Sequence, residues 1–228
     1  MYTLTGVTKR YRRGGETIDA LTGVDLVIED GGQLVIQGPA GGGKTTLLQM
    51  LGGLDRPTEG SVELDGTDLA LLPEARLTQL RSESIGFVFR TGNLIPSLTA
   101  LENVETALVP LGLSAAQRRQ QATGALESVG LAEHRGALPA ALSGSQRQRV
   151  AVARALVKRP RVLLADEPTG DLDAADRDEV MGLLERLWRE QGLTFVVVTH
   201  DSAVARRAPR LATIRKGRVA VEDRRPAV

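Results

Sequence analysis

Apolar and polar residues alternate over residues 2–8, and again through Leu21, Val24, Leu26 and Ile28, the two-residue period of half-buried strands. Two later runs, Val162–Ala165 and Phe195–Val198, are apolar without interruption, as strands covered on both faces are. Leu34-Val35-Ile36 is a shorter run of this kind, entered from a turn at Gly31-Gly32, and Gly60–Gly66 reads as a strand ending in a turn. Between the two long runs the period changes. Val180, Leu183, Leu184, Leu187 and Trp188 form one apolar stripe on a helix, with Trp188 a packing residue on it. Strand, helix and strand in that order predict a parallel sheet with right-handed crossovers.

Residues 90–155 have another texture. Pro96, Leu101, Val104, Leu108, Leu111, Leu126, Val129 and Leu131 fall in helical segments with charged and Gln-rich exteriors. The pattern predicts an α-helical subdomain inserted in an α/β chain, with 1–89 and 156–221 as the β and α/β core. Residues 222–228 read as a polar, disordered tail.

Composition narrows this picture only at its edges. With 228 residues, 42% hydrophobic and 25% charged, the chain is long enough for one large α/β domain with an insertion. A net charge of +1 gives no reason to expect nucleic acid as a partner. The Arg12–Arg13, Arg206–Arg207–Arg210 and Arg224–Arg225 clusters read as solvated surface. The absence of cysteine excludes disulfides, thiol catalysis and Cys-ligated zinc. The first residues lack the apolar core of a secretory signal, and no run is long enough to span a bilayer. The expectation is a cytoplasmic chain that meets a membrane only through partners.

The chemistry is concentrated in three places. Gly38-Pro39-Ala40-Gly41-Gly42-Gly43-Lys44-Thr45 matches G-x-x-x-x-G-K-[ST] and lies between a buried strand and a helix around Thr45–Leu51. Glycines let the backbone curl so that successive N–H groups face phosphate oxygens, and the helix N-terminus favours the anion. Lys44 would then reach the β- and γ-phosphates, with Thr45 on Mg²⁺ and Thr46 beside it. The competing reading is an ordinary glycine-rich turn. Asp166-Glu167 closes the Val162–Ala165 run, and neighbouring residues at a strand end diverge. One carboxylate can thus face a metal and the other the attacking water; alternatively, both merely open a turn before Pro168. Ser143 is a plausible N-cap for a helix beginning Gly144-Ser145-Gln146. Such a second anion-binding terminus is most economically explained as capping a nucleotide held by another copy. On its own, Ser-Gly-Ser is equally a turn before a helix.

Taken together, Gly38–Thr45, Leu142–Gln146 and Asp166-Glu167 resemble, in order and spacing, the Walker A, signature and Walker B motifs of ABC ATPases. Asp171-Leu172-Asp173 resembles the D-loop, His200 the switch histidine, and Tyr11 the aromatic that stacks on adenine. The segment Gly92–Val104 is similar to the lipoprotein-release and macrolide-export type. The resemblance implies a P-loop NTPase core with an antiparallel β subdomain and a helical subdomain. It implies ATP and Mg²⁺ as cofactors, Thr45 and Asp166 at the metal, and Glu167, His200 and Lys44 in catalysis. Two copies would close head to tail on ATP and drive transmembrane permease subunits, contacted around Arg90 to Val104. A regulatory or mechanical role through a permease-like partner is the alternative. Repair or chromosome-organising relatives are disfavoured by the lack of heptads and cysteines.

Three residues depart from the family pattern. Arg90 stands where the Q-loop glutamine is usual, and a guanidinium cannot ligate a metal. It is expected either to contact the γ-phosphate or Glu167, or to swing out towards a partner, with slower or differently coupled hydrolysis. Ser145 replaces a glycine and Ala40 a serine, at positions where backbone groups do most of the binding. His134, with no motif around it, reads as a surface residue.

Overall fold

A computed structural model describes residues 1–223. The elements run β1 (Tyr2–Arg13), β2 (Glu16–Ile28), β3 (Gln33–Gln37), α1 (Lys44–Leu51), β4 (Glu59–Leu64), β5 (Thr67–Asp68), α2 (Glu74–Ser84) and β6 (Ile85–Phe89). They continue with α3 (Ala100–Glu105), α4 (Ala115–Ser128), α5 (Gly144–Leu156), β7 (Val162–Asp166), α6 (Ala174–Gln191), β8 (Thr194–Thr199), α7 (Ser202–Arg206), β9 (Arg210–Arg215) and β10 (Arg218–Asp223). The described residues form two compact units, one of residues 1–78 with 194–223, the other of Gln79–Leu193.

The first unit holds an antiparallel sheet in the order β2-β1-β4-β5 and a mixed set in the order β10-β9-β3-β8. β3 runs parallel to both neighbours, with Val35 opposite Val197 on one side and Leu211 on the other. Leu34, Val35, Ile36 and Phe195–Val198 are fully buried, which is why those runs do not alternate.

Two expectations for this unit need correction. β1 and β2 extend far beyond 2–8 and 21–28: Tyr11 pairs with Ile18 and Arg13 with Glu16, around Gly14-Gly15 at positive φ. Residues 9–20 carry no sustained apolar alternation because Arg10, Arg12 and residues 14–19 of this arm are exposed. Cross-strand pairs such as Arg10 with Asp19 at 3.2 Å and Arg10 with Glu59 at 2.5 Å accompany the ladder instead. Nor do Glu222 and Asp223 form part of a tail. Glu222 and Asp223 belong to β10, opposite Leu211 and Arg210, and Asp223 pairs with Arg210 at 3.0 Å. The rest of that tail, with Arg224 and Arg225, lies outside the described residues.

In the second unit β6 and β7 are parallel, in register from Ile85 with Val162 to Phe89 with Asp166. Of the apolar positions anticipated in 90–155, Leu101, Val104, Leu108, Leu126, Val129 and Leu131 are buried, Leu111 is half-buried and Pro96 is exposed. Capping boxes start three of the helices: Thr99 with Glu102, Ser114 with Gln117, and Ser143 with Gln146. On α6, Val180, Leu183, Leu184 and Leu187 are buried as the stripe predicts. Trp188 sits half-buried at its margin, with the Arg189 guanidinium 5.8 Å from the ring centroid. Among the described residues, no helix is long and apolar enough to cross a membrane.

Candidate active site

The phosphate loop follows directly from the pairing of β3 with β8. Gln37 lies opposite Thr199, and the Gly38 N–H donates to the Thr199 carbonyl at 3.3 Å. Exposed His200, the next residue after Thr199, therefore leaves its strand beside the start of the loop. The loop is packed so closely that two of its glycines have no substitute. A Cβ on Gly38 would lie 2.5 Å from the Ile214 carbonyl oxygen, and one on Gly43 2.4 Å from that of Ala20. Gly41 and Gly43 also have φ of 71° and 99°, a region L-residues rarely adopt.

Lys44 is 6% exposed and its ammonium curls back onto the loop, donating to the Gly38 and Pro39 carbonyls at 3.0 and 3.1 Å. That places a positive charge within the curl. Gly43 caps α1 with no side-chain hydrogen bond, so no side chain of the cap competes for the first-turn N–H groups. Curled backbone, helix N-terminus and lysine together fit a polyphosphate. Thr45 is an exposed residue in that first turn.

Tyr11 sits on the β1 arm of the long hairpin. Its hydroxyl donates to Asp55 at 2.6 Å and also hydrogen-bonds the Thr46 side chain, so the ring is tied to the phosphate-loop helix. The Lys9 ammonium, 2.6 Å from the other Asp55 oxygen, lies 4.9 Å from the ring centroid. Burial pushes the Asp55 carboxyl up, but hydrogen bonds from Lys9, Tyr11 and Arg56 outweigh it and the net shift is downward. Burial and the Asp55 hydrogen bond raise the Tyr11 phenol. Sequence reading missed Lys9 and Asp55, which are brought together where the segment leading into β4 pairs with β1 and lie too far apart in the chain to form a motif.

In the second unit, Asp166 ends β7 and Glu167 adopts a left-handed backbone at φ 48°. This sharp change of direction separates two adjacent, half-buried carboxylates, as divergent roles require. The Gly170 N–H closes the turn on the Glu167 carbonyl at 2.9 Å, and Asp173 caps α6 by accepting from the Asp176 N–H at 2.9 Å.

Ser143 is the N-cap of α5. Its hydroxyl accepts from the Gln146 N–H at 3.1 Å, while the Gln146 amide oxygen accepts from the Ser143 N–H at 2.9 Å. Ser145 is buried, its hydroxyl 3.3 Å from that of Ser143. His134 corrects the surface reading. It is half-buried, with Nε2 3.1 Å from Gln146 Nε2, and its twelve-residue separation from Gln146 gave no signal.

Arg90 is held by residues of its own chain. Phe89 is opposite Asp166 in the β6–β7 register, so Arg90 leaves its strand alongside Glu167. Its Nε donates to Asp171 Oδ1 at 2.7 Å and Nη2 to the Gly170 carbonyl at 3.3 Å. The Asp171 hydrogen bond and charge, with a smaller contribution from Glu167, raise the guanidinium's pKa, so it stays a cation. Asn103 was also missed as a structural residue. It is fully buried, accepts from the Ile95 N–H at 2.7 Å and donates to the carbonyls of Ile95, Leu98 and Thr99, so it shapes the segment anticipated to meet membrane partners.

Residues 21–170 match the family model described as ABC transporter. The chain is 45% identical over 211 residues to the lipoprotein-releasing system ATP-binding protein LolD of Shewanella frigidimarina, covering 92% of this chain and 88% of that one. It is 47% identical over 222 residues to the macrolide export ATP-binding/permease protein MacB 1/2 of Paracoccus denitrificans, but spans only 33% of that protein's length while covering 97% of its own. Among solved structures, the dimeric post-hydrolysis state of the ATP-binding cassette MJ0796 bound to ADP and Pi superimposes with a TM-score of 0.91. It is 44% identical, with both chains covered in full; MJ0796 is from Methanocaldococcus jannaschii. The fold is accordingly that of a P-loop NTPase core with an antiparallel β subdomain and an inserted helical subdomain. A strand-led phosphate loop, a strand-end carboxylate pair, a serine-capped signature helix and full-length likeness to such cassettes lead to one conclusion: this chain belongs to the ABC transporter family, as one of its ATP-binding, ATP-hydrolysing subunits.

Proposed function

We propose that two copies of this chain close head to tail on ATP, each nucleotide held between one protomer's Gly38–Thr46 and the other's Ser143–Gln146, and that this cycle drives separate transmembrane permeases. The observation that carries the reading is the phosphate loop itself: curled on Gly38 and Gly43, which accept no side chain, with Lys44 folded over it. The full-length likeness to a cassette that forms a dimer with ADP and Pi supports the assembly. Adenine stacks on Tyr11, whose hydroxyl is held by Asp55. Lys44 and the loop N–H groups bind the β- and γ-phosphates. Glu167 orients and deprotonates the attacking water, with His200 against the γ-phosphate.

Thr45 and Asp166 offer the hydroxyl and carboxylate oxygens that a hard cation prefers, so these two residues would hold Mg²⁺. When bound, that ion supplies neutralisation of phosphate charge. Residues 90–155 form the helical subdomain, and Arg90–Val104 the face that meets the permeases at the inner side of the membrane. The names of the relatives point to lipoprotein release or macrolide export as the kind of work done.

Disabling turnover with Glu167→Gln tests the assembly. The variant shifts from monomer to dimer in sedimentation velocity when Mg-ATP is added, and hydrolysis falls by at least about a hundredfold, the scale on which a general base contributes. A variant that stays monomeric at saturating ATP overturns the head-to-tail reading; one that still hydrolyses ATP removes Glu167 as the base.

A further inference from the structure

We infer that Arg90 and Asp171 are a matched pair that fastens the turn behind the catalytic carboxylate to the end of β6, making Arg90 a positioning residue for Glu167 and not a replacement ligand for the metal. The inference rests on Glu167 being the general base.

The geometry begins with strand register. β6 and β7 end level, Phe89 opposite Asp166, so the next residue on each strand, Arg90 and Glu167, leave side by side. Glu167 turns at once into the left-handed region at φ 48°, a conformation that persists only where its surroundings hold it. Two backbone bonds close the turn: Gly170 N–H to the Glu167 carbonyl at 2.9 Å and Leu172 N–H to the Thr169 carbonyl at 3.2 Å. Arg90 grips its far end. Nε and Nη2 both lie 2.7 Å from one Asp171 oxygen, and Nη2 also reaches the Gly170 carbonyl.

Gly170 is part of the same fitting. A Cβ there would stand 2.9 Å from Arg90 Nε and 3.2 Å from Cδ, so the guanidinium lies on backbone that only glycine leaves open. Glutamine at position 90 would be shorter and uncharged, and could not make this fork of contacts. The family's amide and this chain's cation therefore do different work at the same place. Both partners are about half exposed, 51% and 49%, so the pair is accessible to salt and separable without disturbing a core.

The test uses the purified full chain, with steady-state ATPase measured as kcat and KM separately. Arg90→Met removes the charge without introducing an amide that could ligate Mg²⁺, and Asp171→Asn removes the other partner. Each single variant is expected to lower kcat about three- to tenfold with KM for ATP changed less than twofold and the urea midpoint unchanged. The double variant is expected to be no slower than the worse single, and the exchanged pair Arg90→Asp with Asp171→Arg to recover most of the rate. Raising NaCl from about 0.05 to 0.5 M should bring the wild-type rate towards that of the variants. Multiplicative losses in the double variant, or singles with wild-type kcat, overturn the inference. Glu167→Gln in the same assay separates the two claims. If it is inactive while the pair variants behave independently, only the latch fails; if it retains turnover, the assignment of the base has failed.

Discussion

Substituting Gly43 by alanine isolates what the phosphate loop demands of its backbone. Two costs combine at this position. φ of 99° with ψ of 2° is outside the wells open to L-residues, which costs roughly 1–3 kcal/mol. The new methyl would also stand 2.4 Å from the Ala20 carbonyl oxygen, 3.0 Å from Leu21 Cδ2 and 3.3 Å from Ile214 Cδ1. The first of these is backbone inside β2, which cannot move aside as a side-chain tip can, and overpacking of this kind adds about 1–3 kcal/mol. Gly41→Ala is the internal control, because its φ is 71° and nothing lies within 4 Å of its added Cβ. It bears strain alone, about 1–2 kcal/mol. Urea unfolding is expected to show Gly43→Ala losing on the order of 3–5 kcal/mol, clearly more than Gly41→Ala. Because Gly43 immediately precedes Lys44 and caps α1, the displaced loop also misaims its N–H groups. Calorimetric titration with a non-hydrolysable ATP analogue should show affinity reduced at least about tenfold, or 1.4 kcal/mol. Equal stability and equal affinity for the two alanine variants would refute the close-packing argument.

Two further predictions address the second unit. Asn103→Leu removes the fully buried amide that accepts from the Ile95 N–H and donates to the Leu98 carbonyl, while the Ile95 and Thr99 carbonyls keep backbone donors from Leu98 and Asn103, so urea unfolding should show a loss of about 1–3 kcal/mol; a loss below about 0.5 kcal/mol would mean the 95–99 loop holds itself. Burial lowers the Lys158 ammonium from 10.5 to about 8, while it donates to the Arg81 carbonyl. Between those values the unfolded chain binds more protons than the folded one, so stability rises with pH above about 8 and is insensitive to this group below it. After allowance for its partial exposure, the wild type should gain about 1 kcal/mol relative to Lys158→Met between roughly pH 8 and 10. Parallel profiles for the two proteins would show that Lys158 does not titrate in this window.

Fold and site were legible to different degrees for identifiable reasons. The strands Leu34–Ile36, Val162–Ala165 and Phe195–Val198 could be read because burial on both faces leaves an uninterrupted apolar signature, and α6 because one buried face leaves a stripe. The phosphate loop, the Asp166-Glu167 pair and the Ser143 cap could be read because their chemistry is local: each needs particular residue types within a few positions of one another. The outer half of the β1–β2 hairpin could not. Arg10, Arg12 and residues 14–19 are exposed there, and hydrogen bonds between backbones leave no mark on residue choice. β10 was hidden in the same way, under the polar string that ends Glu222-Asp223.

What the sequence determined by itself, then, was the inventory of chemical groups and the elements that carry them, since adjacency along the chain is enough to build a curled glycine loop or a capped helix end. Only the tertiary structure decided which distant groups share an environment. Parallel register set Arg90 beside Glu167 and across from Asp171, the pairing of β4 with β1 gave Tyr11 and Lys9 their anchor in Asp55, and the turn before α5 brought His134 onto Gln146. Hydrogen bonds and ion pairs act over a few ångströms of space whatever the separation along the chain, so no spacing rule could have announced them.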